Sequence, residues 1–262
     1  MQQVSNLVNL LSPNNIIVFM LVFTRLTGMM QRAPFFSTIQ APIQTKVWFC
    51  ALISYIIYPI VYAKKMFIIP HNMPELVILL LIEFFIGYLI GFIASMILEG
   101  VRLSGNIISI QTGLSMSQAL DPITGVQSTE LSRIYIFLIT LIFIGSGAHQ
   151  ILFVSVFNSF QSVPMGSFPA FDPNIVSGVC HLFSSMFKIG FGIALPIFAV
   201  LLTADVLLGM MSKMMPQMNI YMVALPVKIY IGLFMVLAFL SAVSVYMQGV
   251  IKDFMNYLGT LF

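Results

Sequence analysis

Residues 99–133 read EGVRLSGNIISIQTGLSMSQALDPITGVQSTELSR, a long polar interruption between two strongly apolar segments. Gly100, Gly105, Gly113 and Gly125 punctuate it, with Gln111, Gln118, Gln127 and a run of serines and threonines between them. Such a stretch can neither face lipid, where every polar group must be satisfied internally, nor form a dry hydrophobic core. Ile107, Ile108, Ile110, Leu114, Met116 and Leu120 nevertheless keep it from reading as a simple solvated linker. It must be sheltered by other elements or line water with them.

The composition around this stretch is that of a membrane protein or of a chain buried in a larger apolar assembly. Of 262 residues, 60% are hydrophobic and only 7% charged, and the mean hydropathy is +1.04, which a soluble domain with a charged surface does not reach. Met1 to Pro13 holds no Lys or Arg, and the first basic residue is Arg25, so a cleavable signal with a positive start is not expected and insertion relies on internal spans. Cys50 and Cys180 stand alone in apolar segments, which argues for free, buried thiols and against a disulfide framework or a paired-cysteine metal site. A net charge of +3, scattered along the chain, gives no reason to expect nucleic acid.

Six apolar runs follow from the pattern: 14–30, 47–62, 76–98, 134–160, 175–211 and 221–250. The fold class expected is an all-α integral membrane-type protein of about six hydrophobic, kinked helices with a polar re-entrant or plug segment. Within the third run Gly87, Gly91 and Ser95 repeat every fourth residue, a small-residue stripe that lets a neighbouring helix approach closely. Gly145-Ser146-Gly147 breaks the fourth run, and Gly190, Gly192 and Pro196 are expected to kink the fifth. The connector 161–174, with Pro164, Pro169 and Pro173, is the best boundary, dividing the chain into 1–174 and 175–262. If the six runs all span, one side holds Arg32, Lys46, Arg102, Arg133, Lys213 and Lys228 and the other Lys64, Lys65 and Lys252, which puts the first group in the cytoplasm.

Arg25, Glu83, Lys188 and Asp205 lie within or at the edge of apolar runs, where each ion costs ~2.5 to 3.5 kcal/mol to insert. They should therefore be paired or wetted. They read either as assembly contacts between helices or subunits or as a substrate path or proton relay, the first being preferred. His149, after the glycine break, reads as a satisfied helix-breaking site rather than a pH switch. No HExxH pair, GxSxG elbow or Walker-type loop is present, so neither an enzyme nor a cofactor or metal site is expected. Met210, Met211, Met214, Met215, Met218 and Met222 gather around the turn before the last run, which suits an adaptable packing surface as well as an ordinary core.

Several phrases in one order resemble a known family. GNIISIQTGLS (105–115) is followed by Asp121-Pro122, by His149 ahead of NSFQSVPMGS (158–167), by IALPIFAVLLTAD (193–205) with LGM, and by MMPQMNIYMVALPVKIYIG (214–232). Together they resemble the FliR (SctT-type) export-gate family of bacterial type III secretion, on its flagellar branch, most strongly from Glu83 to Gly232. In the first 80 residues the match is confined to Arg25 and Pro34-Phe35.

The resemblance implies a non-enzymatic core subunit of the flagellar export gate in the bacterial inner membrane, at the flagellar basal body. It further implies FliP-like and FliQ-like sister subunits wound into a helical assembly, an FlhB-type switch protein, and unfolded flagellar proteins as cargo. Residues 1–174 would correspond to the FliP-like part and 175–262 to a FliQ-like hairpin. The family's pore plug falls on 106–125, with Asn106, Ile110, Gln111, Thr112, Gly113, Leu114, Ser115, Met116, Ser117, Asp121 and Pro122, leaving 99–105 and 127–133 as helix ends. The turn of Met214, Met215, Pro216, Gln217 and Asn219 would meet the switch protein. The competing reading of the residues is a secondary transporter or ion channel, with Arg25, Glu83 and Lys188 lining a small-solute path.

Overall fold

A computed structural model describes residues 13–34, 36, 42–64, 70, 72–115, 130–166, 173–215, 217 and 219–261. Among these the regular elements are α-helices: α1 (Pro13–Arg32), α2 (Ile43–Ala63), α3 (Met73–Thr112), α4 (Glu130–Gly145), α5 (Ala148–Ser162), α6 (Pro173–Met214) and α7 (Ile220–Leu261). The all-α expectation holds, and the six apolar runs are each helical, the fourth being split into α4 and α5. The split follows from Gly147, whose φ of 72° is left-handed and suits a residue without Cβ. Ser146 caps the end of α4 through its N–H to the Ile142 carbonyl at 2.8 Å, and the helix pair bends by 69°.

Helices α2, α3, α6 and α7 are long and apolar enough to cross a membrane among the described residues, and the bent α4–α5 pair makes a fifth if it is one span. Helix α1 is not in that set. Its Val18, Leu21, Val22, Leu26 and Met29 are fully buried within the chain, so it behaves as a core helix rather than one that faces lipid. Buried hydroxyls in these apolar helices return to their own backbone. Ser54, Thr140 and Ser155 donate to the Cys50, Ile136 and Ile151 carbonyls at 2.7, 2.7 and 2.9 Å, which satisfies them without a second helix.

Helix α6 continues through Gly190, Gly192 and Pro196 as one helix of 42 residues, with the proline forfeiting a backbone hydrogen bond. Other expectations change at this level. Helix α3 continues to Thr112 instead of ending at Gly105, because Ile107, Ile108 and their neighbours keep enough apolar surface to extend its packing. At ~1.5 Å per residue its 40 residues reach ~60 Å, well beyond a ~30 Å hydrocarbon layer. Arg102, assigned to a loop by the charge pattern, is therefore helical and pairs with Glu99 at 2.5 Å. The free cysteines also divide, Cys50 buried and Cys180 exposed; the apolar run around Cys180 is amphipathic enough to turn that position outward.

The chain forms two compact units. The first comprises Met1–Ser95, Gly147–Cys180 and Phe254–Phe262, and the second Met96–Ser146 and His181–Asp253. They interleave along the sequence. In the first unit the small-residue stripe brings α1 against α3. A Cβ on Gly87 would strike the Arg25 carbonyl, one on Gly91 the Met29 carbonyl and one on Gly28 the Phe84 carbonyl. Ordinarily Gly→Ala stabilises a helix by about 0.5–1 kcal/mol. Here the obstacle is backbone, so Gly87→Ala is expected to cost a net ~1–3 kcal/mol as the helices separate, read as a lower unfolding temperature in detergent. In the second unit Gly100 and Gly190 allow the same close approach of α3 and α6, and Gly105 that of α3 and Ser132 on α4.

Candidate functional site

Two polar clusters interrupt this apolar framework, one in each unit. In the first, Arg25 on α1 is completely buried, as is Glu83 on α3 at 1% exposure. Arg25 Nε donates to Glu83 Oε2 at 2.5 Å, Nη1 to Ser159 Oγ at 3.0 Å and Nη2 to the Val163 carbonyl at 3.1 Å. Its guanidinium also lies 4.3 Å from the centroid of the Phe160 ring. The Gly166 N–H reaches the other Glu83 oxygen at 3.4 Å. A planar fork serves this purpose and a point charge would not, because three acceptors in different directions share one cation. Arg25 and Glu83 were legible in the sequence as ions needing partners. Ser159, Phe160 and Val163 were not singled out, although they stand inside the NSFQSVPMGS phrase.

In the second unit the cluster is built at the end of the stretch that opens the sequence. Gln111, on the last turn of α3, donates from Nε2 to Asp205 Oδ2 on α6 at 2.8 Å. Lys228 on α7 approaches the same carboxylate, with Nζ 2.8 Å from Oδ1. Lys228 is the residue that sequence reasoning missed as Asp205's partner, since 23 residues and a turn separate them. Asp205 and Lys228 are 37% and 20% exposed, so the pair is only partly enclosed by the chain.

Beside this network the end of α3 is seated tightly on α7. Thr112 is buried, and a Cβ built on Gly232 would collide with its methyl group. Gly113 follows with φ of 84°, and its vacant Cβ position is 3.0 Å from Leu225. Its N–H returns to the Ile110 carbonyl at 3.2 Å, and that of Ser115 to Ser109 at 3.3 Å, closing the helix end. Leu225, Lys228 and Gly232 are spaced three and four residues apart, which places them along one face of α7.

The remaining sequence candidates distribute as follows. Asn106 lies within α3, with its Oδ1 2.8 Å from the Ser132 hydroxyl. Ile110 is 67% exposed, and Leu114 and Ser115 belong to the turn after the helix. Met116, Ser117, Asp121, Pro122 and Pro216 lie outside the described residues. Lys188 is exposed on α6 rather than buried with the other ions. Met214, Met215, Gln217 and Asn219 are all exposed, as are Met210, Met211 and Met222, so the described methionines of this cluster lie on the chain's surface. His149 Nδ1 is buried without a hydrogen-bond partner among the described residues, contrary to the satisfied site expected. No group of His, Cys, Asp and Glu among the described residues could hold a metal.

Comparison with known proteins supplies the frame for these clusters. The family profile described as bacterial export proteins, family 1, matches residues 16–254. The chain belongs to this family. Members similar to it include the flagellar biosynthetic protein FliR of Bacillus subtilis (strain 168), 29% identical over 236 residues, covering 88% of this chain and 89% of that one. FliR of Escherichia coli (strain K12) is 25% identical over 237 residues, with 90% and 89% covered. The Yop proteins translocation protein T of Yersinia pestis is 29% identical over 182 residues, 68% of each chain. The FliR/SctT-type resemblance drawn from the motifs is thus borne out. The profile also covers Arg25, in the part of the chain where few phrases matched.

Proposed function

We propose that this chain is a core subunit of the flagellar type III protein export gate, contributing to the pore through which unfolded flagellar subunits cross the inner membrane. Its family supports the export apparatus as its setting. The observation that carries the gate reading is the end of α3. There Gln111, Gly113, Leu114 and Ser115 form a polar, glycine-containing turn at the tip of an otherwise apolar helix, and Thr112 anchors it on α7. Small and polar side chains are permissive toward a passing polypeptide, while Leu114 and Ile110 offer apolar bulk that blocks water and ions at rest. The seal extends over the stretch to Gly125, including Met116 and Ser117.

The gate is completed by other chains. Helix α7 is only 11% buried over its apolar stretch, so most of its surface is left for lipid or neighbouring helices. FliP-like and FliQ-like sisters are the neighbours this reading calls for, with 1–174 the FliP-like part and 175–262 the FliQ-like hairpin. An FlhB-type switch protein meets the exposed turn at Met214, Met215, Gln217 and Asn219. The work of export comes from an ATPase and the proton-driven apparatus among the partners. A small-solute path along Arg25 and Glu83 finds no support, since both ions are closed off and spend their hydrogen bonds on each other and on Ser159, Val163 and Gly166.

One experiment tests the assignment. The tagged chain, carrying a photocrosslinker at Gln217, is purified from cells and its companions are identified by mass spectrometry. FliP-like and FliQ-like proteins are expected to co-purify, and the crosslink to capture the FlhB-type protein. A chain that purifies alone and transports a solute in vesicles would instead be a secondary transporter.

A further inference from the structure

We propose that Gln111, Asp205 and Lys228 form a polar latch that holds the end of α3 on the α6–α7 hairpin in the resting protein, and that the latch opens when cargo passes. The inference rests on the gate reading above and adds to it the positioning residues that keep the seal in place.

The contrast between the two polar clusters carries the argument. Arg25 and Glu83 are sealed from solvent and held by partners on every side, an arrangement that cannot open without exposing an unpaired ion to an apolar interior. Asp205 and Lys228 are partly exposed. Neither is enclosed by the chain, so separating them leaves no unpaired ion walled into its interior, and Gln111 loses a single hydrogen bond. The second cluster is thus reversible where the first is permanent. It also sits at the point where the helical part of the 99–133 stretch ends, so whatever moves the following residues must first act on it.

Beside this network Thr112, which is fully buried, and Gly113 rest against Gly232 and Leu225. Asp205 is the hub because its one carboxylate takes both partners: Oδ2 accepts from the Gln111 amide at 2.8 Å and from Lys228 Nζ at 3.1 Å, and Lys228 Nζ also lies 2.8 Å from Oδ1. Neutralising Asp205 weakens both at once, whereas changing Lys228 leaves Gln111 in place.

A reversible crosslink tests this directly. The Cβ position of Gly232 lies 3.4 Å from Thr112 Cβ, close to the ~3.8 Å typical of a disulfide. Thr112→Cys with Gly232→Cys is built in a background with Cys50→Ser and Cys180→Ser, and examined in cells that assemble the gate. Oxidation is expected to join the pair and stop export of flagellar subunits, and dithiothreitol to restore it. In parallel, Asp205→Asn is expected to raise leakage of small ions severalfold, Lys228→Met less, and the reversed pair Asp205→Lys with Lys228→Asp to regain part of the seal. A pair that crosslinks fully while export continues unchanged overturns the latch, as does a pair that never crosslinks in the assembled gate. Deletion of residues 113–120 separates the two ideas. If that deletion leaks while the locked variant exports normally, the gate reading stands and the latch falls; if it does not leak while the lock still blocks export, the seal reading fails and release of α3 remains a required step.

Discussion

Arg25→Leu is expected to destabilise the protein by about 3–5 kcal/mol, the cost of leaving one partner of a buried ion pair alone. The loss falls on Glu83, which is 1% exposed and, among the described residues, would retain only the Gly166 N–H at 3.4 Å. The Ser159 hydroxyl and the Val163 carbonyl lose a donor at the same time. For a chain of this size the lowering of the unfolding temperature is on the order of 10 °C, measured in detergent. Arg25→Lys is expected to fall between native and Leu, since an ammonium reaches one or two of the three acceptors but not all of them. The double variant Arg25→Leu with Glu83→Leu is expected to recover most of the loss, because the pair's stabilisation over a well-packed apolar replacement is small. Equal stability of Arg25→Leu and the native chain would mean that the two ions are not buried together in the folded protein.

On the gate reading proposed above, removing residues 113–120 while keeping Thr112 is expected to raise the conductance of the membrane to small ions severalfold in cells that still assemble the gate. The helix end makes this the informative deletion. Cutting from Ile110 would also remove Gln111 and Thr112, and with them the hydrogen bond to Asp205 and the packing on Gly232, mixing loss of the seal with loss of its anchor. Ion flux measured with a membrane-potential dye, alongside immunodetection of the assembled complex, gives the result. Assembly at native levels with unchanged conductance would remove these residues from the seal.

Both experiments use groups that the sequence announced in different degrees. An arginine and a glutamate in apolar runs require partners whatever the fold, because burying an isolated ion costs a large share of a marginally stable protein's net stability. That each would be the other's partner was not legible, since 58 residues separate them and hydropathy carries no information about pairing. Ser159 and the Val163 carbonyl were hidden for a stronger reason: a serine and a backbone oxygen look alike at every position until the chain folds.

The stripe of Gly87 and Gly91 shows the opposite case. Its four-residue spacing identifies one helical face, and a face without side chains invites close packing. The sequence therefore established that a helix approaches there, and the structure decided only that it is α1, with the Arg25 and Met29 carbonyls in the vacated space.

The stretch 99–133 divides along the same line. Its glycines and glutamines excluded lipid and a dry core by composition alone, and its phrases carried the family likeness. Composition could not say where the helix stops, because a polar residue ends a helix only if its neighbours offer nothing better. Gln111 found Asp205 and Thr112 found Gly232, so α3 persists through Thr112. By itself the sequence determined the helical class, the apolar runs, the family and the need to shelter this stretch, all of which follow from local composition and periodicity. Only the tertiary structure decided which ions meet, that Lys188 and Cys180 are exposed, and how the end of α3 is held, because those depend on contacts between residues far apart in the chain.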